Sequence, residues 1–216
     1  MSTPLIVACG ALARELRQVL AADGLNNVEV VYLPANLHNT PDRIVPALRP
    51  LLREATDADR AIFVAYADCG TGGLLDALLA DFPGVHRLPG SHCYEMFAGA
   101  DDFAALHDAE PGTFYLPDFL AKHFDALVWQ GLGLDRHPQL RDTYFGNYSR
   151  LVLLAQSDDP AVARLALQAS QRLGLSFHVV DTGVQHLSSA IAATMVAAPR
   201  SPQRPMPAPR HLIGAQ

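Results

Sequence analysis

Residues 5–20, LIVACGALARELRQVL, join a short apolar run to a segment with helical periodicity. The run at residues 5–8 has the length and composition of a buried parallel strand. Apolar side chains then recur at the three- and four-residue spacing of one helix face, at Leu12, Leu16, Val19 and Leu20. Gly24 ends the segment, as glycine commonly ends helices. The stretch therefore predicts a strand followed directly by a helix.

The same alternation continues along the chain. Further strands are predicted at residues 28–33, 61–65, 85–88, 151–155 and 176–180. Helices are predicted at residues 41–52, 74–79, 160–173 and 185–196, and residues 114–129 have a helical pattern after Pro117. Alternating strands and helices imply right-handed crossovers between parallel strands. The predicted fold class is α/β, a Rossmann-like three-layer sandwich with a mostly parallel central sheet.

The pattern places one α/β domain at residues 1–196, with two lobes joined near residues 114–150 as the alternative. Residues 197–216 contain five prolines and three arginines. Because proline is excluded from helix interiors and central strands, this tail is expected to be disordered. Its removal is expected to leave folding largely intact.

Composition limits the classes of partner. Half of the 216 residues are hydrophobic and the formal net charge is −6, so nucleic acid is not an expected partner. No apolar run approaches the roughly 20 residues that a membrane span needs. The segment ending at Cys9 resembles a lipoprotein cleavage box, but no basic residue precedes it and its apolar stretch is too short for a secretory signal. A cytoplasmic location is the expectation.

The three cysteines all fall just after predicted strands: Cys9 follows the first, Cys69 the third and Cys93 the fourth. The loop after the second strand carries His38, and His92 precedes Cys93. Since ligands bind at the carboxyl ends of parallel strands, these side chains are expected at one edge of the sheet. Thiolates and imidazole suit zinc or an iron–sulfur cluster. Buried structural cysteines are the alternative, because the spacing is not a Cys-x-x-Cys motif.

Other residues are candidates for substrate binding and catalysis. The strand-to-helix turn after Cys69 is rich enough in glycine to offer backbone N–H groups to an anion, from Gly70, Thr71, Gly72 and Gly73. It matches neither a P-loop nor a dinucleotide-binding turn. Glu95 and His92 are candidate acid–base groups, and Arg136 and Tyr148 are candidate substrate ligands in later loops. For each one, an ordinary surface or packing role is the alternative.

An ordered series of motifs resembles a family of bacterial and archaeal proteins defined as a domain of unknown function. The motifs lie at residues 9–12, 37–39, 66–70, 92–95, 111–116, 131–135 and 144–148. The resemblance covers about residues 5–187, and Ala67 stands where the family motif usually has glycine. Family members often lie beside corrinoid-dependent methyltransferases of the trimethylamine type. The resemblance therefore implies one-carbon metabolism, with a corrinoid protein as a partner.

The leading functional hypothesis is a metal-dependent enzyme or accessory protein with a small-molecule substrate. Cys9, Cys69 and Cys93 would bind zinc or an iron–sulfur cluster, with His38 or His92 as fourth ligand or neighbour. The reaction that the resemblance implies is methyl transfer to a metal-activated thiol. The second hypothesis is a metal-free binding or chaperone module for a corrinoid or a small organic acid. The third is a metal-free enzyme with one cysteine as nucleophile. A homodimer is left open.

Overall fold

The computed structural model describes residues 2–197. The first half of the chain forms a four-stranded sheet. Its strands are β1 (Leu5–Cys9), β2 (Glu29–Leu33), β3 (Ile62–Ala65) and β4 (His86–Arg87), in the spatial order β2-β1-β3-β4. All three pairings are parallel. Helices α1 (Ala13–Ala22), α2 (Ile44–Asp57) and α3 (Leu74–Leu79) connect them. Every residue of β1 is buried, as its apolar composition requires.

The second half forms a separate three-stranded sheet. Its strands are β5 (Thr113–Pro117), β6 (Arg150–Ala155) and β7 (Ser176–Asp181), paired in parallel in that order. Helices α4 (Cys93–Ala98) and α5 (Ala100–Ala109) precede it. Its other helices are α6 (Asp118–Lys122), α7 (Arg141–Phe145), α8 (Pro160–Leu173) and α9 (Gln185–Ala197). The α/β class with parallel strands is thus confirmed, and its strands divide between two sheets where the sequence pattern predicted one.

The second sheet is covered on both faces. Leu151 and Leu153 of β6 pack in one apolar cluster with α6 and α8, whereas Val152 and Leu154 pack in another with residues of α4 and α5. Successive residues of a strand point to opposite faces. Each face of β6 is therefore buried under helices, which gives the three layers of an α/β sandwich.

Two predictions along the chain need correction or comment. Residues 113–117 form strand β5, which the sequence pattern did not predict, whereas helical turns do follow Pro117 at 118–122 and 125–129. The aromatic and apolar side chains of this segment favour a strand, and Pro117 fits because it ends the strand at the start of α6. The predicted tail, residues 197–216, lies outside the described residues except for Ala197, which ends α9.

Helix α9 links the two halves. It leaves the end of β7, yet its Leu187 and Ile191 are buried in the core of the first sheet. Ser188 Oγ also donates a hydrogen bond of 2.9 Å to Asp23 at the end of α1. The last described helix therefore fixes the second sheet against the first. Among residues 2–197, no helix has the length and apolar character needed to cross a membrane.

Candidate functional site

A cavity of about 380 Å³ lies between the two sheets. One side, the thiol wall, consists of Cys69 and Cys93 with His38 and His92, and Cys9 lies behind it against His38. The opposite side, the apolar wall, consists of Phe114, Pro117, Phe119, Leu120, Leu127, Val128, Leu132 and Phe145. The two walls come from different sheets, so the cavity exists only because the halves pack together.

Cys9 ends β1 and is 2% exposed. Its Sγ lies 3.6 Å from His38 Nδ1 and accepts a hydrogen bond of 3.4 Å from the backbone N–H of Ala11. Burial raises the pKa of the Cys9 thiol. Burial also lowers the pKa of His38, whose Nε2 is buried and has no hydrogen-bond partner among the described residues. A neutral thiol and a neutral imidazole therefore lie side by side.

Cys69 follows β3 in an unusual backbone conformation, with φ of 51°. This left-handed region is strained for any residue other than glycine. The backbone N–H of Cys69 donates to the Ser91 carbonyl at 2.9 Å, which holds its loop against the segment that precedes Cys93. Burial, and then the repulsion that a Cys9 thiolate would exert, raise the pKa of the Cys69 thiol to about 12. The strained backbone therefore belongs to a residue whose thiol stays protonated.

Cys93 is the first residue of α4. Burial raises the pKa of its thiol well above the ordinary value, and the charges on Cys69 and then Cys9 raise it further. Ionisation of one thiol of this group therefore disfavours the ionisation of Cys69 and Cys93. In this conformation, however, no three His, Cys, Asp or Glu side chains of residues 2–197 are arranged to hold a metal ion.

Tyr66 belongs to the site, although the sequence did not single it out. It is 1% exposed, and its ring stacks on His38 with 6.4 Å between ring centroids. Its Oη has no hydrogen-bond partner of ordinary geometry among the described residues. Burial, and then the charge on Cys9, raise the pKa of its hydroxyl. Its position directly after an apolar strand was the available signal, because strand ends border ligand sites.

Backbone N–H groups of the glycine-rich turn bind the carboxylate of Asp68, which belongs to the same loop. Asp68 accepts hydrogen bonds from the backbone N–H groups of Gly72 and Gly73 at 3.0 and 2.9 Å. It also accepts one from Thr71 Oγ1 at 2.6 Å, and these contacts lower its pKa, that of Thr71 most. Of the four residues predicted to bind a substrate anion, only Gly70 borders the cavity. Asp68, which the sequence pattern did not single out, supplies the anion itself.

The remaining candidates lie off the cavity. Glu95 accepts a hydrogen bond of 2.8 Å from the Ser91 backbone N–H, so its carboxylate supports the loop before Cys93. Arg136 is exposed in a loop, with its Nε 3.9 Å from Asp135. Tyr148 packs edge-on against Phe114, with 5.9 Å between ring centroids. It therefore supports the apolar wall from behind.

Part of the apolar wall is a short π-helix, Asp125–Trp129, which contributes Leu127 and Val128. The π-helix is rare and often occurs at functional sites. Asn39, from the loop after β2, donates a hydrogen bond of 3.4 Å to the Leu127 carbonyl. On the other side, the Arg172 guanidinium lies 3.7 Å from the centre of the Trp129 ring. The π-helix is thus held from both the cavity and the outer surface.

Comparison with known families places the chain. The model of a family described as a protein of unknown function, DUF1638, matches residues 32–191. The chain belongs to this family. The predicted membership of a family of unknown function is thereby confirmed, while the association with corrinoid methyltransferases stays an expectation.

A search of curated proteins gave no match. Among solved structures, the chain is similar to ornithine carbamoyltransferase from Pyrococcus furiosus, with 15% sequence identity and a TM-score of 0.25. The similarity covers 83% of this chain and 54% of that one. The chain thus spans about half the length of that enzyme, and a likeness this distant carries no argument about function.

Proposed function

We propose that this protein binds a thiophilic metal centre, a zinc ion or an iron–sulfur cluster, through Cys9, Cys69 and Cys93, and a small molecule in the adjoining cavity. One observation carries the proposal. Four successive strand-to-helix loops deliver three thiols and two imidazoles to one side of the cavity. Soft sulfur ligands with imidazole are the donor set of zinc and of iron–sulfur centres.

The electrostatics of the thiols favour a cation over free-thiol chemistry. The pKa values of all three are raised by burial, and those of Cys69 and Cys93 also by the neighbouring thiols. A protonated thiol is a poor nucleophile, which argues against a metal-free nucleophilic cysteine. A metal ion reverses this preference because it deprotonates the thiols that it binds. His38, kept neutral by burial, has the protonation state that metal binding needs.

Metal binding requires some rearrangement of the thiol wall. Thiolates that share one zinc lie roughly 3.5–4 Å apart, given Zn–S bonds of about 2.3 Å. Because no three candidate ligands among residues 2–197 are so arranged, the thiol side chains must turn towards one another on loading. The strained backbone at Cys69 supports this role, since strain of this kind clusters at functional sites.

The cavity provides the place for a substrate beside the metal. A site with three protein ligands leaves one position open to a substrate atom. If the thiols held a metal, it would lower the pKa of a substrate thiol at that position. We propose that this sulfur takes a methyl group from a methyl-corrinoid, whose cobalt leaves reduced by two electrons. At about 380 Å³ the cavity is near the lower end of the range for small-molecule sites, roughly 300–1,000 Å³. A corrinoid would accordingly be presented by a separate protein at the cavity mouth.

The deciding experiment is metal analysis of protein purified without oxygen, together with its absorption spectrum. We expect stoichiometric zinc, or the absorption of an iron–sulfur cluster, and loss of that metal on replacing Cys9, Cys69 or Cys93 by serine. His178→Ala is the matched control, because His178 is exposed on β7 of the other sheet. Protein that takes up neither zinc nor iron with sulfide would contradict the proposal.

A metal-free small-molecule binding protein is the second candidate. It is favoured by the lack of a ready-made three-ligand group among residues 2–197 in this conformation. The same experiment separates the two, because this candidate predicts that the Cys→Ser variants have the metal content of the wild type.

A further inference from the structure

The chemical character of the cavity restricts what it can bind. None of the described residues that line it is Asp, Glu, Lys or Arg. Burying an ionised group without an opposite charge or several hydrogen bonds is strongly unfavourable. A ligand that enters this cavity therefore gains nothing from carrying a charge and loses its hydration.

The basic side chains near the cavity in sequence do not line it, and Arg43, two residues after the cavity residue Pro41, is exposed. Arg14 donates to Asp118 at 3.3 Å, and Arg87 donates to Asp76 at 2.6 and 2.9 Å. Arg136 is exposed and does not line the cavity. The amides of Gly72 and Gly73 are taken by Asp68. Among the described residues that line the cavity, no Arg or Lys side chain is thus available to pair with a carboxylate or phosphate.

The apolar wall specifies the body of the ligand. Three phenylalanine rings line it, and two of them, Phe114 and Phe145, meet edge to face with 5.3 Å between centroids and 83° between planes. Ring faces and edges of this kind favour another flat apolar group. An engineered cavity of about 150 Å³ holds benzene. By comparison, a space of about 380 Å³ accommodates a molecule of one ring with substituents, or two rings.

The polar groups of the cavity are concentrated on the thiol wall, and this asymmetry fixes the orientation of a bound ligand. The thiol wall, with Tyr94 and Asn39 beside it, provides the polar atoms that the apolar wall lacks. A zinc ion or iron–sulfur cluster held by these thiols, as proposed above, would itself prefer a soft donor such as sulfur. The polar end of the ligand therefore faces Cys69 and Cys93, while its body lies against the phenylalanines.

We infer that the ligand of this protein is an uncharged, mainly apolar molecule of one or two rings' size, with a single soft donor group such as a thiol or thioether. This inference deepens the proposed function and rests on it for the role of the donor group. It argues against the small organic acid considered from the sequence, because no described Arg or Lys lines the cavity to pair with a carboxylate.

The test uses four probes of similar shape: benzyl mercaptan, benzyl alcohol, benzoate and benzylammonium. Binding is measured by calorimetry on zinc-loaded protein and on protein stripped with a chelator. We expect both neutral probes to bind both forms at least about tenfold more tightly than either ion, a difference of about 1.4 kcal/mol. Benzyl mercaptan should exceed benzyl alcohol only in the zinc-loaded form.

A charge-introducing variant tests the location. Leu120→Arg places a cation in the apolar wall and should shift the preference of the cavity towards benzoate. Leu165→Arg is the matched control, because Leu165 is 39% exposed on α8 and does not line the cavity. It should leave the order of the four probes unchanged. A Leu120→Arg protein that keeps the wild-type order would place the site elsewhere and overturn the inference.

The proposed metal centre and the inferred class of ligand would be refuted by different results. If the protein takes up no metal but still prefers the neutral probes, the proposed metal centre is wrong and the ligand class stands. If metal is bound and an ion binds as tightly as benzyl alcohol, the ligand class is wrong and the metal centre stands. Binding of none of the probes to either form also overturns the ligand class.

Discussion

The thiol of Cys69 should be almost unreactive in metal-free native protein. Its pKa is raised from an ordinary value of 9.0 to about 12 by burial and by the neighbouring Cys9. At pH 8 only about one molecule in ten thousand would carry the thiolate, against about one in ten in the unfolded chain. Since the thiolate is the reactive form, alkylation of Cys69 should be about a thousandfold slower in the native protein.

The assay is iodoacetamide labelling with a chelator present, followed by peptide mass spectrometry. Poor access to the buried thiol would also slow labelling, so the rate is measured from pH 7 to pH 10 and compared with the chain in urea. The unfolded rate should level off near pH 9, whereas the native rate at Cys69 should still rise about tenfold per pH unit. A native rate that levels off near pH 9 would refute the reasoning, because it would show an unshifted thiol.

The Cys69 thiol should make the metal-free protein less stable in alkali, because its pKa is higher in the native than in the unfolded state. The free energy of unfolding should be unaffected below about pH 9 and fall by up to about 1.4 kcal/mol per pH unit above it. Urea unfolding at several pH values should show a smaller fall in Cys69→Ser. Asp118→Ala should cost about 1–3 kcal/mol of unfolding free energy, because its carboxylate is 1% exposed and its removal leaves the buried backbone N–H of Gln156 without an acceptor. Asp118→Asn, which keeps an acceptor oxygen, should cost less, and equal losses in urea unfolding would contradict this. Glu15→Gln should raise the free energy of unfolding at pH 7, because burial raises the native pKa of Glu15 and makes its ionisation unfavourable in the folded state. The gain should disappear below about pH 4, where the carboxyl is protonated in both states. A gain that persists at low pH would have another cause. Gly131→Ala should lower the free energy of unfolding by about 1–3 kcal/mol, because a Cβ there would clash with the backbone carbonyl of Leu127 in the π-helix. An unchanged midpoint of urea unfolding would show that the π-helix can shift to make room for it.

Local patterns predicted most helices and strands well. Helix α8 was predicted at its observed bounds because its signals are local: Asp159 accepts a hydrogen bond from the Ala161 N–H, Pro160 occupies the first turn, and Gly174 ends the helix in the left-handed region. Strand β5 was missed because a five-residue aromatic run that ends in proline has no period long enough to separate strand from helix.

The division into two sheets was not predictable from these patterns. Periodicity identifies a strand but does not say which other strand it pairs with, and pairing between distant segments is what separates the sheets. The three cysteines do each follow a strand of the same parallel sheet, as the sequence pattern predicted. That pattern could not supply the apolar wall, since Phe119 and Val128 reach the cavity only through the packing of the second sheet against the first.

The crossing of α9 from the second sheet to the first has a mechanical consequence for the cavity. Leu187 and Ile191 anchor that helix in the core of the first sheet, while its N-terminus follows the last strand of the second. Any tilt of one sheet relative to the other must therefore pull on this helix, and with it on the buried leucine and isoleucine. The width of the opening between the thiols and the phenylalanines thus depends on a helix whose described residues do not line the cavity.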